Sequence, residues 1–139
     1  MKENNQLVVF GLNNQHYGLQ IENVSEIIRI MEITRVPNTQ YYCKGIINLR
    51  GAIVPVISLS LRLGLEENKL GRDSRIIVTE TIKGKLGLIV DSVYSVTRYS
   101  NDEVEKSETM NGEDRFIKGI LKEENDMILL LNLKEVMED

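Results

Sequence analysis

Short runs in which apolar and polar residues alternate, separated by Asn, Gly, Lys and Asp, fill most of the chain. Alternation with a period of two, bounded by turn-forming residues, predicts β-strands, because successive side chains of a strand face opposite sides of its sheet. Residues 7–12 form the first such run, and residues 16–21 return from a turn at Asn13 and Asn14. Ile21, Val24 and Ile27/Ile28 are then spaced by about one helical turn, which predicts a short helical turn over residues 22–26 leading into a strand at 27–33. Pro37 and Asn38 stop that strand, and Asn38 or Thr39 can cap a single turn holding Tyr41 and Tyr42.

Residues 44–59, KGIINLRGAIVPVISL, read as a buried β-hairpin. Gly51 stands where a tight reversal needs a positive φ, so Asn48 and Gly51 are the structural turn residues. Between residues 45 and 57, Asn48 and Arg50 are the only strongly polar residues. A guanidinium near a core needs a carboxylate or several carbonyls around it, so Arg50 is either a structural pin or faces a partner. After a short helix that Gly64 stops, a polar loop through Asp73 is the best candidate boundary. Strands resume at 75–81, 85–90 and 93–99, with Lys83 and Gly84 turning between the first two. A charged stretch at 101–115 reads as a solvated loop, and strands at 116–121 and 127–132, turned by Asn125 and Asp126, precede a helix at 133–137.

The chain resembles itself. LVVFGLNNQHYGLQIENVSEI from Leu7 lies on IIVTETIKGKLGLIVDSVYSV from Ile76, 69 positions on, with Gly18 on Gly87, Glu22 on Asp91 and Val24 on Val93. KGIINLRGAIVPVISL from Lys44 lies on KGILKEENDMILLLNL from Lys118, 74 positions on. Two repeats, 7–59 and 76–133, follow, each of about five short strands. So few strands leave bare edges in an open sheet, so each half is expected to curl into a small barrel, the pair packed about a pseudo-twofold axis. The expected fold class is all-β with short helices, in a single domain over residues 1–139.

Composition narrows the function. With 42% hydrophobic and 27% charged residues the chain is an ordinary globular protein, but only 5% are aromatic and Trp is absent, so the core is aliphatic. A net charge of −4 argues against nucleic-acid binding, which needs clustered Lys and Arg. The single cysteine, Cys43, suits a reducing compartment and allows no internal disulfide. No apolar run approaches the ~18 residues of a membrane span, and the opening MKENNQ is too polar for a signal peptide, so a soluble, cytoplasmic protein is expected.

The chemical inventory is thin. His16 is the only histidine and flanks a turn, and Cys43 has no base or oxyanion loop near it in sequence. No metal-ligand spacing appears, and Gly84 to Gly87 lacks phosphate-loop spacing. The carboxylate pairs fall in loops or at the terminus. The residues therefore point to a non-catalytic binding module without cofactor or metal, and an enzyme using Cys43 or His16 is the competing class.

Gly45 to Gly51, GIINLRG, followed by Val54, Pro55, Val56, Ile57 and Leu59, resembles the motif of the CheW family of chemotaxis adaptors. Tyr17 to Ile21, Val24, Glu26, Ile27, the Asn38–Thr39 turn, Gly87 to Asp91 and Leu131 to Leu133 extend the resemblance over essentially the whole chain. It implies two five-stranded SH3-like barrels about a pseudo-twofold axis. It also implies a non-catalytic scaffold in two-component signal transduction, joining the regulatory domain of the histidine kinase CheA to the cytoplasmic helical hairpin of methyl-accepting chemoreceptors. Such a protein is a monomer alone, assembles in arrays and is recruited to the inner membrane face through receptors. Carried over by residue, the receptor groove between the barrels comprises Val24, Glu26, Arg50, Ile53, Ile77 and Leu86, with Glu26 and Arg50 an intramolecular ion pair. Ser58 departs from the family, where an acidic residue is common. A CheV relative or a free-standing kinase regulatory domain is the alternative; a CheV adds a receiver domain, for which no room is expected after Asp139.

Overall fold

The computed structural model describes residues 5–106 and 115–138. In chain order the elements are β1 (Asn5–Leu12), β2 (Gln15–Gln20), β3 (Val24–Arg29), β4 (Cys43–Leu49), β5 (Ala52–Ser58) and α1 (Leu59–Arg62). The second half supplies β6 (Arg75–Thr81), β7 (Gly84–Val90), β8 (Ser92–Tyr99), β9 (Val104–Lys106), β10 (Ile117–Glu123), β11 (Asp126–Leu131) and α2 (Leu133–Met137). Most expected strands are present, with shifted ends. The helical turn is a single 3₁₀ turn at Ile21–Asn23, so β3 starts at Val24 and stops at Arg29, short of the expected 33. Ile82–Lys83 and Glu124–Asn125 make the two later turns, one position before the residues expected. Part of the expected solvated loop is structured: Asn101–Glu103 is a capped 3₁₀ turn and β9 pairs with β10. The remainder of that stretch, 107–114, lies outside the described residues.

The strands form two sheets, ordered β8-β1-β2-β11-β10-β9 and β3-β6-β7-β5-β4. Each sheet takes its leading hairpin from one half of the chain and its other strands from the other half. Two chain crossings, β3 into the sheet of β6 and β8 into the sheet of β1, interleave the halves. The polar stretch before Asp73, expected as a boundary, therefore separates nothing, because strands on both sides of it share both sheets. Each sheet closes on itself as an SH3-like barrel. β9, which continues β8, pairs with β10; in the other barrel Thr34, beyond β3, bridges Ile46 on β4 through two hydrogen bonds of 2.9 Å. Gly45 makes that approach possible: its φ is +138°, and a Cβ there would run into the carbonyl of Thr34.

Three cores result. Ile47, Val54, Val56, Ile76, Val78 and Ile89 fill the five-stranded barrel, and Leu7, Val9, Tyr99, Leu121, Ile128 and Leu130 fill the other. The third core lies between the barrels and includes Phe10, Leu19, Ile57, Ile77, Leu88 and Leu131. Strands such as β6 and β7 are thus buried on both faces, which is why they read as continuous apolar runs.

Candidate partner-binding surface

The tip of the β4–β5 hairpin is a two-residue turn, Arg50–Gly51, with φ of 52° and 90°. Positive φ at both centres suits the right-handed twist of the strands it joins. The Asn48 side-chain carbonyl accepts the Gly51 N–H at 2.9 Å, locking the turn. Arg50 is not near the core as expected. Its side chain is 69% exposed, and its guanidinium donates to the carboxylate of Glu26 on β3. The tip projects beyond the barrel, so water solvates what the barrel does not.

The other expected groove residues divide by face. Residues opposite one another on paired strands point to the same side of a sheet. Ile27, Ile77 and Leu88 form one such row, and Val24, Thr79 and Leu86 the next. Both rows turn toward the core between the barrels. Ile77 is fully buried there, so it is core and not groove, a correction to the sequence reading. Val24 and Leu86 are half-buried against the same core. Ile53, on the same face of β5 as the buried Ile57, is 60% exposed. The outer face of this sheet thus passes from sealed core to an open apolar strip of Val24, Leu86 and Ile53. Glu26 lies on the opposite face, opposite Val78, where it meets Arg50.

Two residues escaped the sequence reading. Ile27 is 40% exposed at the rim of the strip; simple alternation from residue 24 puts it on the other face, and only the register shift between Val24 and Glu26 brings it to the face of Val24's row. Arg62 is buried, its Nε donating to the Val136 carbonyl at 2.9 Å and its Nη2 to the carbonyls of Glu135 and Glu138. The guanidinium lies 4.6 Å from the Tyr42 ring centre and 5.0 Å from that of Phe116. It ties α1 to the end of α2 through cation–π contacts and charge-assisted bonds. Ser58 has a local role too. Its hydroxyl caps α1 by accepting the Leu61 N–H, as Asn132, 74 positions on, caps α2 by accepting that of Glu135.

His16 and Cys43 stand on different sheets, on β2 and β4, so they do not form a nucleophile and base pair. His16 Nδ1 is 2.6 Å from Asp126 and its ring packs on Tyr94, while Cys43 packs against the central core. Among the described residues no cluster of His, Cys, Asp and Glu could hold a metal ion, and no helix is long and apolar enough to cross a membrane.

The family model described as the CheW-like domain matches residues 6–139. The chain belongs to the CheW-like family. It is 31% identical to the chemotaxis protein CheW of Bacillus subtilis over 99% of this chain and 90% of that protein. The crystal structure of the scaffolding protein TtCheW from Thermoanaerobacter tengcongensis superposes with a TM-score of 0.90 at 36% identity, covering all of this chain and 91% of that one. The chemotaxis protein CheV3 of Helicobacter pylori is 32% identical over 88% of this chain, which spans 41% of that protein. CheW-like membership makes the chain a non-catalytic chemotaxis scaffold, which answers the competing enzyme reading.

Proposed function

We propose that this CheW-like chain couples the regulatory domain of a CheA-type histidine kinase to the cytoplasmic helical tips of chemoreceptors. The observation that carries the reading is the apolar strip of Val24, Leu86 and Ile53, with Arg50, paired to Glu26 on the other face of the sheet, at the exposed tip of the hairpin that carries Ile53. A helix laid on such a strip buries aliphatic area, and the exposed Arg50 at the hairpin tip offers a charge at the end of the strip that can fix its register. The chain acts as one domain of two intertwined repeats, 7–59 and 76–133, and remains monomeric until arrays form. Receptors bring it to the inner face of the membrane. The kinase, whose regulatory domain has like barrels, is met by barrel surfaces away from the strip, in head-to-tail contacts that can close into rings. Titrating the chain separately with a receptor-tip fragment and with the kinase regulatory domain tests this. Saturable binding of both is expected, with only receptor binding weakened by Ile53→Glu; no binding of either removes the proposal.

A further inference from the structure

A second groove opens where the strip ends, and it carries the opposite chemistry to the chain's net charge of −4. One cavity of about 420 Å³ lies between the β6–β7 turn and the start of α2, lined by Lys83, Lys118 and Lys134 over Leu133 and Met137. Lys118 also lines a neighbouring cavity of about 300 Å³, together with Lys106, Gln20 and Leu130. Lys118 stands between the two cavities, and the lysine-lined channel on either side of it has four lysines and no carboxylate among the described residues that line it. At its edge Lys83 forms an ion pair with Glu138 at 3.6 Å, and Glu22 acts electrostatically on Lys118.

Two details single the channel out from a solvated charged face. Lys118 Nζ is held at 3.0 Å by the neutral Gln20 side chain, and desolvation by its surroundings lowers its pKa, opposed by Glu22. Ile82 is fully exposed at the tip of the β6–β7 turn, where a polar residue would ordinarily sit, and it overhangs the larger cavity. Ammonium groups along the walls, an aliphatic floor and an apolar overhang are complementary to a chain with both carboxylates and aliphatic side chains.

We infer that this channel binds an acidic peptide segment with interleaved aliphatic residues, its carboxylates on Lys83, Lys118 and Lys134 and its apolar side chains on Leu133, Met137 and Ile82. The site shares no residue with the Val24, Leu86 and Ile53 strip, so it adds a further protein contact to the scaffold.

The test is an NMR titration of the ¹⁵N-labelled chain with a synthetic amphipathic peptide bearing Glu on one face and Leu on the other. A matched peptide with Lys in place of Glu, and phosphatidylserine vesicles, serve as the comparison arms. Saturable shifts at Ile82, Lys83, Lys118 and Lys134 with the acidic peptide alone are expected. Affinity should fall roughly tenfold or more in Lys83→Glu/Lys134→Glu and decline with added salt. Both substituted side chains are exposed, so the double variant should keep the wild-type circular dichroism spectrum. Absence of binding, equal binding of the Lys peptide, binding of vesicles only, or an unchanged affinity in the variant overturns the inference. If the Lys134→Glu single variant also binds normally in a folded protein, the carboxylate contacts assigned to α2 are wrong.

Discussion

Ile27 and Ile77 stand directly opposite each other on β3 and β6, so their side chains share one face, yet Ile77 is fully buried and Ile27 is 40% exposed. The core between the barrels ends between these two residues. Ile77→Ala should cost roughly 2–5 kcal/mol in urea unfolding, as large-to-small core changes do. Ile27→Ala and Ile53→Ala should change stability little and weaken receptor-tip binding. Equal stability losses at 27 and 77 would place the rim elsewhere.

Arg50 and Glu26 meet across exposed surface, so their pair contributes at most about 1 kcal/mol to stability. Arg50→Glu or Glu26→Arg should leave the protein folded but reduce receptor binding, and the double exchange should restore a substantial part of it. A double-mutant cycle in a binding assay measures the coupling; a coupling of zero means the two residues act separately.

The two hairpin glycines should differ sharply. At Gly51 no atom lies within 4 Å of the point a Cβ would occupy, so Gly51→Ala meets only the positive φ and should cost on the order of 1 kcal/mol. At Gly45 the same change also collides with the Thr34 carbonyl, so it should lose the Thr34–Ile46 bridge and far more stability. Thermal melts of the two variants compare them directly.

Arg62→Met removes donors from three carbonyls near the end of α2 and should cost roughly 3 kcal/mol, with Arg62→Lys failing to rescue because an ammonium lacks the guanidinium fork. Hydrogen exchange of the α2 amides should rise in both variants. Unchanged exchange would mean that α2 is held by Leu133 and Val136 alone.

Most strands were legible because alternation and turn residues are local signals. The third strand of each half was legible as a strand but not as a crossing, since nothing within residues 24–29 says which sheet will accept it. β9 was hidden in a charged stretch because Glu105 and Lys106 suit a short, exposed edge strand as well as a loop. Arg62 carried no local signal because the carbonyl of Val136, which holds it, is 74 positions away. Arg50 misled in the opposite sense: apolar neighbours in sequence suggested burial, while a turn with two positive φ values carried it into solvent. The Glu26 pairing came with the family resemblance, but separating Ile77 from Ile53 needed the register of the sheet.

In the proposed role one chain holds kinase and receptor together, and co-sedimentation reads out that link. The kinase regulatory domain is mixed with receptor-tip fragments displayed on vesicles, with and without this protein. The wild type should bring the kinase domain down with the vesicles, and Ile53→Glu should leave it in the supernatant while still binding it. Kinase sedimentation that is independent of the protein, or undiminished by Ile53→Glu, would contradict the account.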